Sequence, residues 1–148
     1  MRVVLQRVSQ GSVTVNEKVV AQIGQGLMIL LGIAPGDTQE IARAMAAKVA
    51  QLRIFEDADG KMNLSIQEVK GSAIVVSQFT LYADTRKGRR PSFTEAAKPD
   101  LAEPLVHIFA EELERWEVAT QEGVFGAHMV VDITNDGPVT IVLDLPLT

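Results

Sequence analysis

The chain contains no cysteine and only two histidines. Without thiols there is no disulfide scaffold, no cysteine nucleophile and no thiolate zinc site. A catalytic zinc normally takes three protein ligands, so His107 and His128 would need carboxylate help and a metalloenzyme is poorly supported. Positive charge is short as well, with 14 Lys+Arg against 19 Asp+Glu and a formal net charge of −5. A surface that wraps nucleic acid broadly, or adheres to an anionic membrane, wants the opposite sign. No apolar run approaches the roughly 20 residues of a bilayer span. The opening Met1–Arg7 has no apolar signal region with a small-residue cleavage site. The chain therefore reads as soluble and cytoplasmic, with no membrane partner. Glycine-rich nucleotide-binding signatures such as a P-loop are missing too.

What is present is an ordinary globular composition, 47% hydrophobic and 22% charged over 148 residues, enough for one domain with one core. Val3, Leu5 and Val8, then Val13 and Val15, alternate with polar residues as strands do. Asn16-Glu17 is the natural turn to a return strand over Lys18 to Ile23. Gly26 to Ile33 is a continuous apolar run between glycines, which suits a strand buried on both faces. Asp37 and Glu40 have capping-box spacing, and Ile41, Met45, Val49 and Leu52 follow at helical intervals. Asp57 to Gly60 reads as a turn, Met62 to Ile66 as a short extended piece, and Ser72 to Tyr82 as a central strand. A second helix spans Pro99 to Trp116. Its start is ambiguous, since Asp100 with Glu103 resembles a capping box whereas Pro104 prefers a first turn. Ala127 to Thr134 and Val139 to Leu145 complete the strands. The sum is an α+β single domain, a curved or barrel-like sheet, mostly antiparallel or mixed, covered by two main helices.

Three segments are candidates for chemistry. Ser77, Gln78, Phe79 and Thr80 interrupt an apolar strand with polar groups, which cost free energy when buried unless hydrogen-bonded. They read either as a half-solvated edge or as a pocket floor where backbone N–H groups form an oxyanion hole and a hydroxyl orients the substrate. Asn135-Asp136-Gly137-Pro138 reads as a β-turn between two strands, and glycine before proline also makes a cis peptide accessible, with two carbonyls turned the same way. Arg86-Lys87-Gly88-Arg89-Arg90 reads either as a solvated loop or as a small phosphate-contacting patch. His107 and His128 sit where surface histidines normally do, so a Ser-His-Asp hydrolase has no credible base.

Taken together, the opening MRVVLQRVSQGSVTV, the central SQFTL and the late NDGPVT, at these separations, resemble the D-aminoacyl-tRNA deacylase family along nearly the whole chain. That resemblance implies a cofactor-free homodimer hydrolysing the ester between a D-amino acid, or glycine mischarged on alanine tRNA, and the 3′-terminal adenosine of tRNA. It implies that Gly137 and Pro138 form a Gly-cisPro motif inserted into the partner subunit's site, where their carbonyls reject an L side chain. Arg7 would hold that segment. Ser77, Gln78, Phe79 and Thr80 would line the pocket, with backbone N–H groups near Gln78 and Phe79 as oxyanion donors and Thr80 as nucleophile or orienting group. Two other readings of the same residues are a generic small-ester hydrolase and a non-catalytic module binding RNA or a protein partner.

Overall fold

A computed structural model describes residues 1–146 of the chain. The path begins with β1 (Arg2–Val15), β2 (Lys18–Ile23) and β3 (Gly26–Gly32). Asn16 and Glu17 both take positive φ, 49° and 66°, the turn geometry whose twist suits a two-residue hairpin. β1 is long enough to hold both successors along one edge: Gly11 to Val15 pair with β2, and Arg2 to Val8 with β3, all antiparallel. The two are halves of one return path, broken at Gly24-Gln25. Along the opposite edge of β1 runs β8 (Val130–Asp144), also antiparallel.

β6 (Ser72–Ser77) joins β3 in parallel, and β7 (Ala119–Glu122) joins β6 in parallel. Parallel neighbours need crossover connections. Two helices lie on these crossovers, α1 (Gln39–Gln51) between β3 and β6, and α2 (Pro99–Arg115) between β6 and β7. β4 (Phe55–Glu56) and β5 (Met62–Leu64) form a small separate pair. The α+β class and the mixed, barrel-like sheet under two helices are as expected from sequence.

Alternation divides the sheet's side chains between two apolar clusters. Val3, Leu5, Leu27, Ile29, Leu31, Ala73 and Val75 pack with Met45, Val49, Phe109 and Leu113 of the helices. Met28, Ile74 and Val76 point the other way, to Val8, Val13, Ile23, Met129, Val131 and Ile133. Both faces of β3 are therefore dry, which is why its sequence is apolar without alternation. Where β3 meets β6 the backbones approach so closely that a Cβ at Gly26 would overlap the Ser72 carbonyl. The far end of the sheet curls back: Gln121 on β7 accepts from the Gln22 N–H at 2.9 Å and donates to the Gln22 carbonyl at 2.9 Å. One side-chain amide thus takes the place of the next strand beside β2.

The structure corrects the sequence reading at four places and settles the start of the second helix, which begins at Pro99 as read. Thr38, not Asp37, caps α1, its Oγ1 accepting from the Ile41 N–H at 3.2 Å. Asp37 is buried instead, accepting from the Met1 ammonium at 2.8 Å and the Ala34 N–H at 2.7 Å. α2 starts at Pro99 behind Lys98, and Pro104 lies inside the helix on its exposed side, where water can take the carbonyl it leaves unpaired. β6 stops at Ser77, and Phe79–Tyr82 form a 3-10 turn rather than more strand. β7 has no counterpart in the sequence reading. Finally, Asn135 to Pro138 do not connect two strands but lie within the single strand β8.

Candidate active site

Ser77 is the last residue of β6, and the Gln78 N–H continues the ladder by donating to the Leu31 carbonyl at 2.8 Å. The chain then turns because β3 ends at Gly32, against which the turn is stacked. A Cβ there would lie 3.2 Å from the Gln78 oxygen, from Leu81 Cβ and from the Tyr82 ring. The Leu81 N–H closes back on the Gln78 carbonyl at 3.2 Å, and the Ala83 N–H on the Thr80 carbonyl at 3.1 Å. Arg2 pins the turn from β1: its Nη1 donates to the Leu81 carbonyl at 3.0 Å, and its guanidinium lies 5.2 Å over the Tyr82 ring. Burial, reinforced by the Asp37 carboxylate, pushes the Tyr82 hydroxyl up to about 12.

Phe79 and Thr80 occupy the first turn of the 3-10 segment, where backbone N–H groups have no acceptor within the helix. Of the two amides expected to serve as oxyanion donors, Gln78 is committed to Leu31, which leaves that of Phe79. The Gln78 side-chain amide donates to Thr80 Oγ1, so the hydroxyl keeps its own proton to give. Thr80 is exposed, as is Phe79, whose ring meets Phe93 edge-to-face at 5.1 Å and 76°.

Ser77, Gln78 and Phe79 form one wall of a cavity of about 630 Å³. This is within the ~300–1,000 Å³ range of small-molecule sites. The rest of the lining is Phe93, residues 96–99, residues 125–129, Val131, and Ile33, Val76 and Ala102. Sequence reasoning missed these contributors. Phe93, Lys98, Phe125 and Met129 belong to no motif, and His128, which reads as an ordinary surface residue, lies at the cavity. His107 lies in a neighbouring depression, its Nδ1 3.0 Å from Glu122 and its Nε2 3.1 Å from Glu111. Those carboxylates, Glu122 foremost, raise its pKa.

Arg7, Gly137 and Pro138 are gathered elsewhere. From Gln6 to Val8 the partner positions on β8 run from Thr140 to Asn135, so two steps on β1 face five on β8 and three residues are extruded from the ladder. The extruded part holds Asp136, Gly137 and Pro138, all exposed, with the Gly137–Pro138 peptide bond cis. Gly137 has φ of 148°, and a Cβ on it would come 2.6 Å from the Val139 nitrogen, so only glycine fits. Arg7, only 4% exposed, faces the gap. Its Nε donates to the Asp136 carbonyl at 3.0 Å and its Nη1 to the Ile54 carbonyl at 2.8 Å. Asn135 clamps the other flank, its Nδ2 donating to the carbonyls of Arg7 at 2.9 Å and Val139 at 3.0 Å. Within one chain this clamped ridge is not part of the cavity lining, and Thr80, expected to line the pocket, lies beside it, exposed and bonded to Gln78.

A family model described as D-Tyr-tRNA(Tyr) deacylase matches residues 4–144. A D-aminoacyl-tRNA deacylase of Roseiflexus sp. (strain RS-1) is 61% identical over 144 residues, 97% of this chain and 93% of that protein. Another from Deinococcus deserti is 57% identical over 146 residues, 99% of this chain and all of the relative. Among solved structures, a c-Myc DNA unwinding element binding protein superposes with a TM-score of 0.92 at 42% identity, covering 99% of this chain and 100% of that one. A probable eukaryotic D-amino acid tRNA deacylase shares the fold, with a TM-score of 0.83 at 21% identity over 97% of this chain and 98% of its own. The chain belongs to the D-Tyr-tRNA(Tyr) deacylase family.

Proposed function

We propose that the protein hydrolyses the ester joining a D-amino acid to the 3′-terminal adenosine of tRNA, releasing free tRNA and the D-amino acid, and that it acts likewise on glycine mischarged on alanine tRNA. The observation that carries this reading is the cavity walled by Ser77, Gln78 and Phe79 in a chain whose relatives bear the deacylase name. Water adds to the ester carbonyl, and the oxygen that gains charge accepts from the Phe79 N–H. One such donor contributes roughly 10²- to 10³-fold. The Thr80 hydroxyl, held by the Gln78 amide, orients the ester, and the 2′-hydroxyl of the adenosine assists proton transfer. An aminoacyl ester is already activated, so positioning with an oxyanion donor suffices without a histidine base.

Chirality is the harder demand. An enzyme that takes many D side chains cannot recognise them individually, so the hand must be sensed at Cα by groups that do not move. Ridge carbonyls of Gly137 and Pro138 suit this role because Arg7 and Asn135 fix their backbone on both flanks. Since the ridge does not line its own chain's cavity, a second copy supplies it in a homodimer. A clash with backbone discriminates more strongly than one extra apolar contact, worth only about 1–3 kcal/mol. Matched D- and L-tyrosyl-tRNA are the test. We expect rapid release of the D form and negligible loss of the L form; equal hydrolysis of both, or of neither, refutes the reading. Thr80→Ala should lower kcat by about 10- to 100-fold, equal to ~1.4–2.7 kcal/mol. Unchanged turnover would leave the hydroxyl without a role.

A further inference from the structure

The loop between the 3-10 turn and α2 concentrates positive charge in an acidic chain. Residues 84–98 hold five Lys/Arg and two Asp/Glu, a net +3, so the remaining residues together carry −8. The loop is closed by paired backbone bonds, the Asp84 N–H to the Ser92 carbonyl at 2.7 Å and the Ser92 N–H to the Asp84 carbonyl at 2.9 Å. Arg86 is consumed in this closure. Its Nε and Nη2 grip the two Asp84 carboxylate oxygens at 2.9 and 2.7 Å, which holds the Asp84 carboxyl down at about 2. Lys87, Arg89 and Arg90 are exposed and face no carboxylate within ion-pair distance among the described residues.

The base of the loop is tied to the cavity. Phe93 follows Ser92, lines the cavity and packs on Phe79, and Lys98, at the end of the same loop, adds a cation to the cavity lining. We infer that Lys87, Arg89 and Arg90 form a phosphate-binding track that holds the sugar-phosphate backbone of the substrate RNA beside its 3′ end, with Arg86 as the strut that shapes the loop. The inference rests on the tRNA substrate proposed above and adds the surface that grips it. Three cations on a closed loop neutralise a few phosphates without a basic fold, as the acidic total requires. Each phosphate contact contributes between about 0.7 and 0.9 to the slope of log affinity against log salt. Three contacts therefore weaken binding by roughly 20- to 40-fold between 50 and 200 mM salt.

The test measures binding of uncharged tRNA by fluorescence anisotropy across that salt range, for the parent and for Lys87→Gln/Arg89→Gln/Arg90→Gln. Deacylation of D-tyrosyl-tRNA and sedimentation are followed in parallel, and Lys48→Gln on α1 controls for total charge. We expect the triple variant to lose affinity at low salt and to flatten the salt slope by 2–3 units. Its KM should rise at least tenfold with kcat at saturation held, and Lys48→Gln should be unaffected. An unaltered slope and KM would overturn the track, as would a weakened KM accompanied by a shift in sedimentation, which would make the loop a contact between protein copies. A parent that binds tRNA with the predicted slope yet releases no D-tyrosine would uphold the track and refute the deacylase reading.

Discussion

Removing Arg7 should loosen the ridge and weaken the fold together, and the size of the effect follows from its contacts. The side chain is 4% exposed and bridges two backbone carbonyls far apart in sequence, Ile54 on one arm and Asp136 on the other. Its carboxylate neighbours Glu56 and Asp136 lie at 3.7 and 3.5 Å and are 57% and 51% exposed, so water compensates them when the cation is lost. The ion-pair share is therefore small, and the two carbonyl bonds carry the effect. Hydrogen bonds to a charged partner contribute about 1.5–3 kcal/mol each. Ile54 is itself 7% exposed, so its carbonyl would be left without an easy substitute. Arg7→Ala should cost about 3–5 kcal/mol in urea unfolding, a large part of a typical ~5–15 kcal/mol total. Arg7→Lys should fall between, because one ammonium cannot span both carbonyls in the guanidinium's forked geometry. The same variants should hydrolyse L-tyrosyl-tRNA faster relative to the D form, as the Asp136–Pro138 backbone gains freedom. A loss under 1 kcal/mol in Arg7→Ala, or unchanged discrimination in a folded Arg7→Lys, would refute the clamp.

Two further predictions concern the turn and the helix. Gly32→Ala presses on Gln78, Leu81 and Tyr82 at 3.2 Å, so it should lower kcat on D-tyrosyl-tRNA by tenfold or more; kcat equal to the parent's would show that the turn's position is not critical. His107, raised by Glu122 and Glu111, should titrate above 6.5 by NMR. Its folded pKa being the higher one, its contribution is complete below the unfolded value of about 6.5 and fades as pH rises through the folded value. The fall in urea midpoint between pH 6 and pH 9 should therefore shrink in His107→Gln, and an identical fall in both proteins would refute the linkage.

Much of the fold is legible wherever local pattern and tertiary environment agree. The Asn16-Glu17 hairpin, the doubly buried β3 and both helices follow from turn chemistry, apolar runs and 3.6-residue periodicity. The capping box misleads because Asp37 is drawn to the Met1 ammonium, a partner 36 residues away that no helix rule contains. β7, Ala-Thr-Gln-Glu, has almost no strand signature and exists because β6 offers it an edge. Asn135 to Pro138 carry every mark of a hairpin turn; only the unbroken β1 alongside shows that they are an extrusion. The family is legible through the three motifs, as the match over residues 4–144 shows, and Ser77, Gln78 and Phe79 of the central one do wall the cavity. The opposite wall is not, since Phe93, Lys98, Phe125 and His128 reach the cavity through the crossover and the approach to β8, without periodicity of their own.

The paired bonds between Gln121 and Gln22 have a bearing on solubility. An unpaired strand edge is a template on which another chain can add by main-chain hydrogen bonding, and β2, with Val19 and Val20 exposed, would be an inviting one. Because the Gln121 amide presents a donor and an acceptor in the arrangement of a peptide group, it occupies the Gln22 position that an incoming strand would use. The sheet thereby guards its own margin with one side chain, and no residue of an additional strand is spent on it.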